Sequence, residues 1–287
     1  MIAIWRKEVK SYFSGMSGYI IIAFLLAAVG FLFKYLNLQN GVPKFEYTLA
    51  QASILLLLFI PLLTMRSFSE ERRQKTDLLL YSLPISLRQI ILGKYFALLT
   101  IVAIPCAVMG LYPLILRLFG EVSLTNAYTA LFAFFLLCAA CIAIGLFLST
   151  LTDNQMIAAM LTFAVLLCAY LMSVFADMIS SASLINAICF AVLALLISLI
   201  AYVMTKNYLV SYILFAVLAV MIAALYLLKP EIFEGSFSAV LSALSLFDRM
   251  AYFFNEVFDL TAVFYYLSVS GIFLFLSVQS AEKRRWS

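Results

Sequence analysis

The chain has 287 residues, 66% of them hydrophobic and 11% charged, with a formal net charge of +4 and no histidine. Soluble domains carry about 25% charged residues, so this composition belongs to a polytopic membrane protein, and recurring runs of about 20 apolar residues favour helices over the period-two strands of a barrel. The missing histidine excludes zinc metalloprotease motifs, Ser-His and Cys-His nucleophile pairs and histidine proton relays.

Residues 2–13 read as an amphipathic helix. Ile2, Trp5, Val9, Tyr12 and Phe13 recur on one face at helical spacing, and Arg6, Lys7 and Lys10 occupy the other. Such a helix lies in the membrane interface with its basic face toward anionic headgroups, or simply anchors the next span by its charge. It is too polar for a cleavable signal peptide, so none is expected. Ser14 to Gly18 break it.

Eight apolar spans then follow, at about 19–36, 49–65, 90–116, 127–148, 156–175, 184–204, 208–228 and 261–278. Pro61, near the end of the second, is expected to bend it. The third is long and holds Pro105, Gly110 and Pro113, so tilt or a kink is expected. The segment 229–260, with Pro230, Gly235 and scattered acids, reads as one or two helices at the far surface or dipping partly in.

Between the second and third spans the charges gather. Arg66, Glu70, Glu71, Arg72, Arg73, Lys75 and Asp77 fall within twelve positions, and the pattern is helical from Phe68 until Pro84 stops it. Glu71 and Lys75 stand at i, i+4 in the favourable order. Eight spans put both termini on one side. If that side is the cytoplasm, thirteen basic residues lie inside: Arg6, Lys7, Lys10, Arg66, Arg72, Arg73, Lys75, Arg88, Lys94, Lys206, Lys283, Arg284 and Arg285. Five lie outside: Lys34, Lys44, Arg117, Lys229 and Arg249. That bias fits the positive-inside rule.

All five cysteines sit in apolar runs. Cys138 and Cys141 form a C-x-x-C with no further ligands nearby, so packing is the plainer reading and no metal site is expected. The chain carries no G-x-x-x-x-G-K-[ST] loop for nucleotide phosphates. Charges within the spans, which proton- or sodium-coupled carriers use, are nearly absent. Active transport would therefore need a powered partner on the cytoplasmic face, where 66–84 is the sizeable element. The alternative is a solvated helix that only fixes topology.

Several motifs combine. Trp5-Arg6-Lys7-Glu8 with Tyr12-Phe13 opens the chain, and Pro61-Leu62-Leu63-Thr64-Met65-Arg66 runs into Glu70-Glu71-Arg72-Arg73 and Lys75-Thr76-Asp77-Leu78-Leu79. Leu83-Pro84-Ile85, Leu92-Gly93-Lys94-Tyr95, the stretch from Gly145 to Gln155, and Leu244-Ser245-Leu246-Phe247 with Phe253-Phe254 complete the set. Through these the chain resembles the permease subunits of ABC-2 type exporters, over most of its length. The likeness is to the branch that includes the gliding-motility and nitrous-oxide-reductase-maturation permeases. The family usually reads Gly-Thr-Glu at 75–77, so Lys75 and Asp77 are mild departures.

The resemblance implies an all-α polytopic membrane protein, a single transmembrane domain over 1–287. It would have a six-span core, an interfacial helix at 2–13, and a cytoplasmic coupling helix at 66–84. A surface or re-entrant segment would occupy 229–260 on the outer side; the 184–228 pair departs from the family pattern as an added hairpin, making about eight spans. Such permeases work as dimers, with a second copy or a homologous permease, in the bacterial plasma membrane. The implied partner is a cytoplasmic ABC ATPase dimer carrying ATP and Mg; this chain itself would hold no cofactor, catalyse nothing and bind lipid but no nucleic acid. The residues expected at the ATPase contact are Arg66, Glu70, Glu71, Arg72, Arg73, Lys75, Thr76 and Asp77, with Arg6, Lys7 and Lys10 beside them. The rivals are an ion-coupled secondary carrier and a non-transporting subunit that anchors an ATPase.

Overall fold

The computed structural model describes residues 1–73, 86–180, 182–205, 207–254 and 259–285, which are helices and their connections with no strand among them. In chain order the helices are α1 (Ile2–Ser14), α2 (Ser17–Phe33, continued by a π-helical stretch Lys34–Gln39), α3 (Phe45–Ser53), α4 (Leu56–Thr64) and α5 (Ser69–Arg73). Then come α6 (Leu87–Met109), α7 (Tyr112–Arg117), α8 (Leu124–Leu151), α9 (Gln155–Met178), α10 (Ser183–Thr205), α11 (Tyr208–Leu228), α12 (Ser236–Leu244) and α13 (Leu260–Arg285).

Among the described residues six segments are long and apolar enough to cross a membrane: Ser17–Gln39, Leu87–Arg117, Leu124–Leu151, Gln155–Met178, Ser211–Leu228 and Leu260–Lys283. The pair α3 and α4 makes a seventh, bent by 56°. The remaining expected span is α10, whose described part counts as a shorter apolar helix, Ser183–Leu199. The chain is a multi-pass membrane protein.

The bend in the second span falls at Ile54 and Leu55, between α3 and α4, whereas Pro61 lies buried inside α4. Three local bonds account for the shift. Ser53 Oγ donates back to the Ala50 carbonyl, and Leu57 N and Leu58 N donate to carbonyls only three residues back. Back-bonding serines and short-range amide bonds tighten and bend a helix.

The chain divides into two compact units, Met1–Cys168 with Leu246–Ser287, and Ala169–Ser245. The first is built around α8, 78% of whose apolar window is buried. Ala127, Ala130, Ala133, Ala140 and Ala143 are among its fully buried residues, and small side chains let helices approach closely where lipid gives no hydrophobic drive between them. α13 runs along α8, with Phe273 5.8 Å from Phe147. Phe147 is 23 residues past Leu124 and Phe273 is 13 past Leu260. α13 thus begins about 15 Å further along than α8. The 3₁₀ stretch Asp248–Phe254 fills the space this leaves: Phe253 is fully buried and Met250 nearly so, and Arg249 stacks 4.0 Å over the Tyr265 ring. Tyr266 donates to the Leu246 carbonyl at 2.8 Å.

In the second unit α10 and α11 form a hairpin. Asn207 caps α11 by accepting from Leu209 N at 3.0 Å, as an Asn N-cap should. The chain then folds back through a 3₁₀ turn, Pro230–Phe233, and α12. Phe190 lies edge-on to Phe233 and Phe237, and Asn186 accepts from Phe237 N while donating to the Ser180 and Ala182 carbonyls. The expected single segment at 229–260 is therefore shared: its first half belongs to this unit, and Leu246 onward to the first.

Candidate functional site

The polar residues of the first unit gather where α1, α5, the start of α6 and the end of α8 meet. α1 is brought in by a glycine. A Cβ on Gly93 would stand 2.9 Å from Ile4 Cγ2, so only glycine allows α1 this close to α6. Trp5 Nε1 donates to Thr100 Oγ1 at 3.0 Å, and the buried Tyr12 hydroxyl donates to the Leu63 carbonyl at 3.1 Å. Burial, then the nearby Glu8 carboxylate, pushes the Tyr12 hydroxyl well above its ordinary pKa. The inward stripe of α1 is thus Ile4, Trp5, Glu8 and Tyr12, and it seats on protein; Ile2, expected on that stripe, is exposed.

At the centre stands Lys94, 1% exposed in the second turn of α6. Its Nζ lies 3.0 Å from Glu8 Oε1 on α1, 3.0 Å from Glu71 Oε2 on α5, and 2.7 Å from the Ser67 carbonyl. The Phe68 ring lies 5.0 Å away. A buried ammonium costs several kcal/mol unless paired and hydrogen-bonded, and this one is both. Lys7 adds a looser contact to Glu71 at 3.8 Å.

α5 is held on its other side by the end of α8. Ser149 Oγ accepts from Phe68 N and Ser69 N at 3.2 and 3.4 Å, satisfying amides that open a helix. Ser69 Oγ donates to the Ser149 and Thr152 carbonyls. The buried Arg72 donates to the Thr150 carbonyl and lies 3.7 Å from Asp153. Gly145 admits Thr64: a Cβ there would be 3.0 Å from Thr64 Cβ, so α4 touches α8 backbone to side chain. Between α1 and α5 opens a polar cavity of about 410 Å³, lined by Lys7, Glu8, Arg66, Glu70, Glu71 and Lys94.

The expected contact residues therefore divide. Arg6, Lys7, Lys10, Arg66 and Arg73 are exposed. Glu70 and Glu71 are half-buried, and Glu71 points into the Lys94 cluster. Arg72 is directed into the α8 end. Lys75, Thr76 and Asp77, with the rest of the expected helix to residue 84, lie outside the described residues. Sequence reasoning missed Lys94, Glu8 and Ser149 as members of the site. For Lys94 the signal was a lysine inside an apolar span, directly after a glycine, and for Ser149 a serine-threonine pair ending another; Glu8 carried none.

Cys106, Cys138 and Cys141 are buried. Among the described residues no group of three His, Cys, Asp or Glu side chains is placed to hold a metal ion. Residues 33–228 match the family model described as ABC-2 family transporter protein. No curated protein matches the chain. The matched stretch runs from the end of α2 to the end of α11 and contains α5, the start of α6 with Lys94, and the Ser149 end of α8. The chain belongs to the ABC-2 family of transporters, as a multi-pass membrane component.

Proposed function

We propose that this chain is the permease subunit of an exporter driven by a separate cytoplasmic ABC ATPase, which binds and hydrolyses Mg-ATP. Two permease chains would form the membrane half, with their termini in the cytoplasm. The observation that carries this reading is the composition of the α1–α5 face. Its exposed charges Arg6, Lys7, Lys10, Arg66 and Arg73 are all basic, while its acids turn toward the cavity and Lys94. A basic surface backed by helices fixed to spans α4, α6 and α8 is suited to an acidic, load-bearing partner. The motifs shared with the gliding-motility and nitrous-oxide-reductase-maturation permeases support placing the chain in that branch.

The test is to purify the tagged chain from its native host in mild detergent, identify the co-purifying ATPase by mass spectrometry, and measure phosphate release. Arg66→Glu with Arg73→Glu should reduce the recovered ATPase by tenfold or more while leaving the permease folded. Undiminished recovery would refute docking on this face. Glu71 and Arg72 are unsuitable for this test, because reversing them breaks bonds inside the permease.

A further inference from the structure

We infer that Lys94 is a positioning residue that fastens α1 and α5 to α6, so that the three move as one body when the proposed ATPase acts; this rests on the docking reading above. The geometry is specific. One buried ammonium holds a carboxylate from each of two helices at 3.0 Å and the carbonyl of the turn that joins α4 to α5 at 2.7 Å. Glu8 and Glu71 both meet Lys94, and Lys7 lies at the edge of the cluster beside Glu71.

The consequence is a division of load. Without Lys94, a push on α5 would pass along the chain into α4 and, through Ser69 and Arg72, into the end of α8. With it, the same push reaches α6 directly and carries α1 along. An ion pair suits this role better than apolar packing. It resists sideways sliding as well as separation, because each bond is directional. Gly93, one residue before Lys94, removes the side chain that would otherwise hold α1 off.

The test uses the co-purified complex in lipid nanodiscs. Ala3 on α1 and Arg88 on α6, both exposed and outside the proposed docking face, are replaced by a ketone-bearing amino acid and spin-labelled, which leaves the five cysteines untouched. The α1–α6 separation is then read by pulsed electron resonance with and without ATP and vanadate. The comparison is between the native cluster and Glu8→Gln/Glu71→Gln/Lys94→Met, which removes all three charges and leaves no unpaired carboxylate. The native chain should keep one separation in both states. The variant should shift by about 2 Å or more on trapping, the scale of helix displacements in switching proteins, while its ATPase recovery stays within twofold. A variant as rigid as the native chain would overturn the inference, and so would a native chain whose separation itself changes.

If no ATPase is recovered with the native chain, the docking reading fails, and the fastening is decided on the permease alone: a broadened separation in the variant upholds it, an unchanged one overturns it. If the triple variant is not recovered, Glu8→Gln, which cuts only the α1 tie, is read in the same way.

Discussion

The Lys94 end of the first unit and the α10–α11 hairpin of the second are both helical and both matched to the same family, yet they are held by different forces. The first is packed around buried charge and directed hydrogen bonds: Lys94, Arg72, Ser69 and Ser149 are all buried, and each joins elements distant in sequence. The second relies on ring contacts of Phe190, Phe233 and Phe237 and on polar bonds of Asn186 and Ser211. The apolar window of α8 is 78% buried, while that of α11 has no buried residue. A region built on paired charge has few tolerated substitutions, because removing one partner leaves the other stranded. A hairpin whose surface is apolar on nearly all sides can change many side chains at little cost in lipid. The two regions should therefore respond to mutation on different scales.

The largest effect is expected at Lys94. Lys94→Met should destabilise the first unit by about 3–5 kcal/mol, the cost of breaking a buried ion pair from one side. Adding Glu8→Gln and Glu71→Gln should recover most of that loss, because the stranded carboxylates disappear. Thermal exposure of the buried thiols Cys106, Cys138 and Cys141, followed with a fluorogenic maleimide in detergent, gives the measurement for this unit. If the single and triple variants unfold together, the cluster is not held by charge pairing.

Next comes Gly145→Val. The added side chain would drive into Thr64 on α4, and overpacking of this kind costs about 1–3 kcal/mol. The same thiol assay reads it. A smaller side chain opposite, in Gly145→Val with Thr64→Ala, should restore part of the loss. No recovery would mean that the clash is relieved elsewhere and that the α4–α8 approach is loose.

The sequence carried the broad architecture because hydropathy alone requires it: α2, α6, α8, α9, α11 and α13 lie close to the expected spans. The site was half legible. The charge cluster from Arg66 to Arg73 announced itself, but its division into exposed and internal members did not. Arg72 and Arg73 are neighbours of the same type, and only the position of the Ser149–Asp153 end of α8 turns one inward. Lys94 could be counted as a topological charge from sequence, since nothing local to α6 shows that Glu8, 86 residues earlier, will meet it. Pro61 gave a bend signal stronger than Ser53 did, yet the bend is at Ile54 and Leu55, where backbone bonding to carbonyls three residues back departs from the ordinary ladder. The division of 229–260 between two units also depends on long-range partners, Asn186 and Phe190 for its start and Tyr265 and Tyr266 for its end.

In the second unit the largest response should come from Asn186→Ala. This fully buried side chain serves three backbone groups, and its loss leaves Phe237 N and two carbonyls without it. An effect of about 1–2 kcal/mol is expected, above the usual single hydrogen bond. Mass-spectrometric readout of labelling at Cys189, on α10, isolates this unit from the first. Labelling of Cys138 should be unaffected; parallel gains at both thiols would show that the two units unfold as one.

The smallest effect is expected at Ser211→Ala. Its hydroxyl donates to the Ser198 carbonyl at 2.5 Å, a polar bond across the hairpin between α10 and α11. Such bonds between membrane helices average only about 0.6 kcal/mol, because the separated helices find other polar partners. The Ser198 carbonyl also keeps its place in the α10 helix, so removing the hydroxyl strands nothing that was not already bonded. Cys189 labelling should therefore change by less than threefold. A change of thirtyfold or more, which corresponds to about 2 kcal/mol, would mean that the hairpin, like the Lys94 end, depends on a directed polar contact, and the contrast between the two regions would fail at its most tolerant point.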